Sequence, residues 1–377
     1  MLFPGEKMVL VLQGGGALGA YQAGAYEGLA EAGILPDWVA GISIGATNAA
    51  IIAGNRPEQR VARLREFWEA ISDGIETPPP GGSPARTAFN EAYAMRVASF
   101  GVPGFFAPRF PPAALLPPGW PGATSYYSTE PLRRTLSRLV NLDILNSGNV
   151  RFSAGAVELH TGNFEYFDSQ DRSIGLDHVM ASGALPPGFP PIQIDGKSYW
   201  DGGVVSNTPL QYILEMTGPR SDMCLFQMDL FSARGPEPKT LLDVMQREKE
   251  IRYSSRTRLN TDNFQQMQTM RRLTRRLLEK LPPELCDDLD VQTLRRMSCD
   301  AAVTIVHLIY RRAAYDSYSM DFEFSRLSML DHWKAGLEDV RRTIAQPAWL
   351  ERHPPEQGVT VLDLTPRHRE DYPAAAQ

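Results

Sequence analysis

Hydrophobic residues in the first part of this chain fall into short unbroken runs, each stopped by glycine. Met8–Leu12 (MVLVL) is continuously apolar, the pattern of a strand buried on both faces. QGGG ends it. The alanine-rich stretch ALGAYQAGAYEGLAEAG then places Leu18, Tyr21, Ala25 and Leu29 at helical spacing, with Gly33 positioned to cap the helix. WVAGIS is a second short strand, and IGATNAAIIAG opens a second helix. Two strand–glycine–helix units in the first 55 residues predict an α/β fold, a parallel sheet with helices on its faces.

The pattern changes twice further on. RPEQRVARLREFWEAIS reads as an amphipathic helix. From Thr77 to Gly122 the chain is then crowded with proline and glycine and carries exposed-looking aromatics, Phe100, Phe105, Phe106, Phe110 and Trp120. It is too long for an ordinary loop, so residues 77–122 are expected to form a lid or insert. A helix with Thr129 at its N-cap and Pro131 just inside follows. VRFSAGAVELHTGNFEYFDS reads as two strands around Thr161-Gly162-Asn163. LDHVMASGALPPGFPPI is a short helix ended by prolines. GKSYWDGGVVSNTPLQYILEMTG is a strand, a glycine turn and a helix, and DMCLFQMDLF is another buried strand. Beyond Pro238 the pattern is helical to about Ile344, and the last 20 or so residues read as a loose tail. The expected division is a site-bearing domain over 1–235 and a helical domain over 239–377.

Composition narrows the function. A formal net charge of -6 gives no case for nucleic-acid binding. Three scattered cysteines, Cys224, Cys286 and Cys299, suit a reducing compartment and show no zinc spacing with histidine. The opening has only about five apolar residues before its glycines, too few for a signal peptide. The longest small-and-apolar run, Val39–Gly54, is short of the roughly 20 residues of a membrane span. The expectation is a cytoplasmic protein, with contact at a membrane surface as a further option. MRRLTRRLLEKL, Met270–Leu281, is a basic amphipathic helix that reads first as a solvated bundle face.

Three glycine turns carry the candidate chemistry. The first, Gly14–Gly19 (GGGALG), fits the dinucleotide fingerprint, with Asp37 about 18 residues beyond Gly19. That fingerprint needs its acid at the end of the second strand, and Asp37 precedes WVAGIS. The other use of such a loop is to offer backbone N–H groups to an oxyanion. The second turn holds Ser43 between Gly41 and Gly45, a nucleophile elbow between strand and helix. The third is Asp201-Gly202-Gly203, where a strand meets a helix. No histidine lies in these turns. A triad would have to draw on His307 or a later histidine, whereas a dyad would use Asp201 itself, its pKa raised by burial.

Together, GGGALGAYQAG, GISIGATNAA, ASGALPPGFPPI and DGG, in this order, resemble the patatin-like phospholipase family over roughly residues 8–232. The resemblance implies a three-layer α/β/α fold with a mainly parallel sheet, here with an α-helical C-terminal extension. It implies a Ser-Asp dyad and hydrolysis of acyl esters through an acyl-enzyme, and nothing in the sequence calls for a cofactor or metal. By position Ser43 matches the nucleophile and Asp201 the base, with Gly14, Gly15, Gly16 and Ile44 as oxyanion donors. Ser182 is better read as structural. Leu18 stands where many members carry arginine or lysine, which leaves the substrate open among phospholipid, lysophospholipid, neutral lipid and hydroxyalkanoate ester. Two other classes stay in view: a non-catalytic lipid- or partner-binding module, and a dinucleotide-binding enzyme.

Overall fold

A computed structural model describes residues 5–216, 221–254, 257–352 and 358–363. β1 (Lys7–Leu12) leads through the glycine turn into α1 (Ala20–Glu31), and β2 (Trp38–Gly41) leads through Ser43 into α2 (Ile44–Ala53). α3 (Pro57–Ala70) and α4 (Gly82–Phe100) follow. β3 (Ala107–Pro108) and β4 (Tyr127–Ser128) make a small antiparallel ribbon. α5 (Glu130–Leu139) and α6 (Leu142–Leu145) precede β5 (Arg151–Glu158) and β6 (Phe164–Asp168). α7 (Leu176–Ser182), β7 (Ile192–Ile194), β8 (Lys197–Asp201), α8 (Leu210–Met216) and β9 (Met223–Asp229) complete the first part. The remainder holds α9 (Leu241–Tyr253), α10 (Thr257–Leu278), α11 (Leu289–Met297), β10 (Val303–Ile309), α12 (Arg326–Ile344), α13 (Pro347–Leu350) and β11 (Val359–Asp363).

One sheet runs β11-β10-β9-β1-β2-β5-β8-β7, with β6 paired to β5. From β11 to β5 every pairing is parallel; β6, β7 and β8 join antiparallel. The strand alternation in β1 sorts its side chains between two cores. Met8, Leu10 and Leu12 enter the large cluster with α1, α2 and α3, whereas Val9 and Val11 enter the smaller one with α8, Phe264 of α10 and Val303 and Ile305 of β10. Helices therefore cover both faces, as an α/β/α sandwich requires.

The C-terminal region is helical, as expected, but it also supplies two strands that the sequence pattern hid. β10 pairs with β9 in register Val303↔Met223, and β11 pairs with β10. α12 lies along α1 at glycine contact. A Cβ on Gly24 would sit 1.9 Å from the Trp333 carbonyl oxygen, and one on Gly336 would sit 1.9 Å from the Tyr21 carbonyl oxygen. Sheet and helix packing thus run across the boundary expected near residue 235. Of the expected loose tail, Val359–Asp363 form β11; the rest, like His353 and His368, lies outside the described residues.

The proline-rich segment also departs from expectation. It contains a 19-residue helix, α4. Phe105 and Phe106 are buried in an aromatic cluster with Tyr127, Phe189 and Phe324, while Phe100, Phe110 and Trp120 are exposed. Among the described residues no helix is long and apolar enough to cross a membrane.

Candidate active site

Ser43 sits where β2 ends and α2 begins, with φ 56° and ψ −124°. That conformation is costly for a residue with a side chain, so the surroundings must impose it. The Ser43 amide donates to both the carbonyl oxygen (3.1 Å) and the hydroxyl (3.0 Å) of Ser182, whose hydroxyl donates to the Gly155 carbonyl at 2.7 Å. The flanking glycines are sterically required. A Cβ on Gly41 would lie 2.3 Å from the Gly45 carbonyl, and one on Gly45 would lie 2.4 Å from the Leu12 carbonyl oxygen. Ser182 thus props the turn from behind, in keeping with a structural role. Asn48 is also structural: it is fully buried and bonded to Gly19, Gln22 and Trp68.

Register brings Asp201 to the same level. Gly41 pairs with Ala154 on β5, and Asp201 of β8 pairs with Ala156, two residues further along. Ser43 is two residues beyond Gly41. The acid therefore arrives on a strand antiparallel to β5, outside the parallel part of the sheet. Asp201 is 1% exposed. Its Oδ1 accepts the Gly203 amide at 2.7 Å, and its Oδ2 is buried with no partner of hydrogen-bond geometry among the described residues. Burial pushes its pKa up to about 7, with the Ser43 hydroxyl and the Gly203 amide pulling part of the way back. The Ser43 hydroxyl thus lies near enough to Asp201 to favour its charged form, although Oδ2 forms no hydrogen bond among the described residues. None of the described histidines is hydrogen-bonded to Ser43 or Asp201; His307 lies on β10, three strands from β2.

The glycine turn lies against Ser43 and meets the acid turn through Asn207. A Cβ on Gly14 would stand 3.1 Å from the Ser43 Cβ and 2.3 Å from Asn207 Oδ1, and one on Gly203 would stand 3.0 Å from the same Asn207 oxygen. One expected oxyanion donor is already engaged: the Gly14 amide donates to the Asn207 carbonyl at 3.1 Å. The amides of Gly15, Gly16 and Ile44 show no acceptor among the described residues, so these three remain to donate. Asp37, the acid of the dinucleotide reading, accepts the Met8 amide at 2.8 Å beside the start of β2, at the opposite end of the sheet.

Two side chains missed by sequence reasoning organise this region. Gln13 accepts the amides of Leu230 and Phe231 and donates to Thr208, fastening the ends of β1 and β9 together. Asn207 donates from Nδ2 to the carbonyls of Gly14 (2.9 Å) and Tyr253 (3.0 Å). Buried amides that link elements distant in sequence leave no local motif. The only hint was Asn207 standing shortly after the glycines of the acid turn.

A serine held on a strand–helix turn, near a buried carboxylic acid and glycine amides without an acceptor among the described residues, marks the class: an α/β protein with a Gly-x-Ser-x-Gly turn after β2. The patatin-like phospholipase model matches residues 10–214, and a second model, described as patatin phospholipase, matches 251–356. The chain belongs to the patatin-like phospholipase family. It is 36% identical over 77 residues to the rat patatin-like phospholipase domain-containing protein 7, covering 20% of this chain and 6% of that protein. It is 25% identical over 223 residues to the lysophospholipase NTE1 of Cryptococcus neoformans, covering 56% of this chain and 10% of that one. The chain thus spans a tenth or less of the length of these relatives. Among solved structures, VipD from Legionella pneumophila aligns at a TM-score of 0.38 with 13% identity, covering 90% of this chain and 66% of its own. The type III effector ExoU aligns at 0.23 with 16% identity, covering 78% and 61%.

Proposed function

We propose that this chain is a serine acyl-ester hydrolase of the phospholipase, lysophospholipase or esterase type, working through a Ser43–Asp201 dyad and an acyl-enzyme. The observation that carries the reading is the state of Asp201: buried, with a free Oδ2 beside the Ser43 hydroxyl and a pKa near 7. A carboxylate titrating there is a competent base at neutral pH, whereas an ordinary aspartate is too weak. Asp201 takes the hydroxyl proton as Ser43 Oγ attacks the ester carbonyl. The amides of Gly15, Gly16 and Ile44 receive the negative charge on the carbonyl oxygen, an interaction worth about 2.7–4 kcal/mol per donor. The proton passes to the departing alcohol. Water, deprotonated by Asp201, then releases the fatty acid and restores Ser43. Leu185, Val204 and Val205 are apolar, exposed and next in sequence to the residues that hold Asp201, which suits a substrate with an acyl chain.

The test is hydrolysis of chromogenic esters of graded acyl length, with a fluorophosphonate probe mapped by peptide mass. The wild type is expected to turn over and to be labelled at Ser43, and Ser43→Ala to fall to background in both assays. Full activity in Ser43→Ala overturns the proposal. So does a wild type that hydrolyses no ester and is not labelled, which favours a binding module on the same fold.

A further inference from the structure

α9 is amphipathic in the reverse of the usual sense. It buries Gln246, Lys249 and Glu250 and exposes Leu241, Leu242, Val244 and Met245. Apart from Tyr253 at its end, which packs on Phe231, polar contacts hold this helix in place, and they lead to the glycine turn. Lys249 is the central one. Its Nζ donates to Asp321 Oδ1 and to the Tyr318 carbonyl, both at 2.7 Å, and lies 3.7 Å from the centroid of the Tyr318 ring. The backbone of Asp321 in turn grips the glycine turn. Its carbonyl oxygen accepts the Ala17 amide at 2.8 Å and fills the space above Gly16, where a Cβ would stand 2.0 Å away. One helical turn beyond Lys249, the Tyr253 carbonyl accepts the Asn207 amide that also binds the Gly14 carbonyl. The glycine turn is thus held at Gly14 through α9 and at Ala17 through the 318–321 turn, and Lys249 joins these two supports.

We propose that Lys249 is a positioning residue for the oxyanion loop, acting through Asp321 and α9 without touching the reacting atoms. The inference rests on the hydrolase reading above. A run of three glycines has the least intrinsic preference for any one shape. Gly16 is moreover in the left-handed region, at φ 54°. Oxyanion donors work only when aimed at the place where charge develops, and a displacement of about 1 Å can cost on the order of a hundredfold in rate. A loop this soft needs an outside clamp, and the C-terminal region supplies one.

The experiment compares wild type, Lys249→Met, Lys249→Arg and Asp321→Asn. It reads kcat and KM on a short chromogenic ester, the rate of Ser43 labelling by a fluorophosphonate, and Tm, with kinetics taken well below the lowest Tm. Lys249→Met is expected to lose about tenfold or more in kcat and in labelling rate at little change in KM. Lys249→Arg, which keeps the charge, is expected to recover most of the loss. If Lys249→Met does not fold, Asp321→Asn decides, since it keeps the backbone carbonyl and removes only the charge pair. A several-fold fall in kcat at unchanged KM supports the proposal; wild-type kinetics overturn it. Folded Lys249→Met with wild-type kcat and labelling overturns this inference alone, because wild-type labelling keeps the hydrolase reading. A wild type that is never labelled overturns both.

Discussion

The two parts of the chain that meet at the glycine turn are built on opposite principles. In the first, residues 7–229, Ser43 and the glycine turn are fixed by backbone sterics, and the flanking helices α1 and α2 bury nearly every side chain. In the second, from residue 241 onward, α9 turns polar residues inward and grips a loop it does not contain. Ser43 is thus placed by local rules of glycine and strand ends. The glycine turn is supported by polar contacts between residues 69 to 304 positions apart in sequence, Lys249 to Tyr318 and Ala17 to Asp321 among them.

The strongest way to break this contrast is to separate the parts. A chain truncated after residue 235 leaves β9 without its β10 partner and strips α12 from the glycine face of α1. It is expected to yield no soluble folded protein, checked by size-exclusion chromatography and circular dichroism. A truncated chain that folds and hydrolyses esters would make the parts independent domains.

Next in size is Asp201→Asn, expected to bring hydrolysis to background and also to stabilise the fold at alkaline pH. The buried acid has a folded pKa near 7 against an ordinary 3.8. Between those values the folded state holds a proton that the unfolded state has released. Stability is therefore lost as pH rises from about 4 to about 7, by about 4 kcal/mol when complete. Asparagine removes that loss, so Tm at pH 8 is expected to exceed the wild type's while at pH 4 the two agree closely. The wild-type rate should fall tenfold per pH unit on the acid side of about 7; a rate flat down to pH 5 counts against Asp201 as base.

The smallest effects sharpen the picture of the proline-rich segment. Phe110, 96% exposed, should tolerate serine within about 0.5 kcal/mol by urea denaturation. Phe106→Ala, in the buried aromatic cluster, should cost about 3–5 kcal/mol. Equal effects would mean the aromatics act as one surface.

How much of this was readable beforehand follows the same division. Strand, glycine turn and helix around Gly14–Gly16 and Ser43 were legible because each needs particular residues at fixed spacing. Asp201 was legible by residue but not by strand direction, since a single strand in the sequence does not declare its partner. α4 was hidden because composition averaged over Thr77–Gly122 masks a proline-free stretch after Pro84. β10 (VTIVHLI) was masked by helical neighbours; a short apolar run reads equally as buried helix or strand. Lys249 gave no signal and Asn207 only its place after the acid turn, because their partners are distant and their buried polar contacts have no period.

The strand order also sets a timetable for the protein's birth. β9 is wholly buried in the finished sheet, yet one of its edges pairs with β10, which the ribosome makes only roughly seventy residues later, on the order of ten seconds at ordinary synthesis rates. Throughout that interval the nascent chain already carries its serine, acid and glycine turn but presents a bare apolar strand edge to the cell. Chaperones have their opening in that interval, and a shortage of them should be felt first at β9.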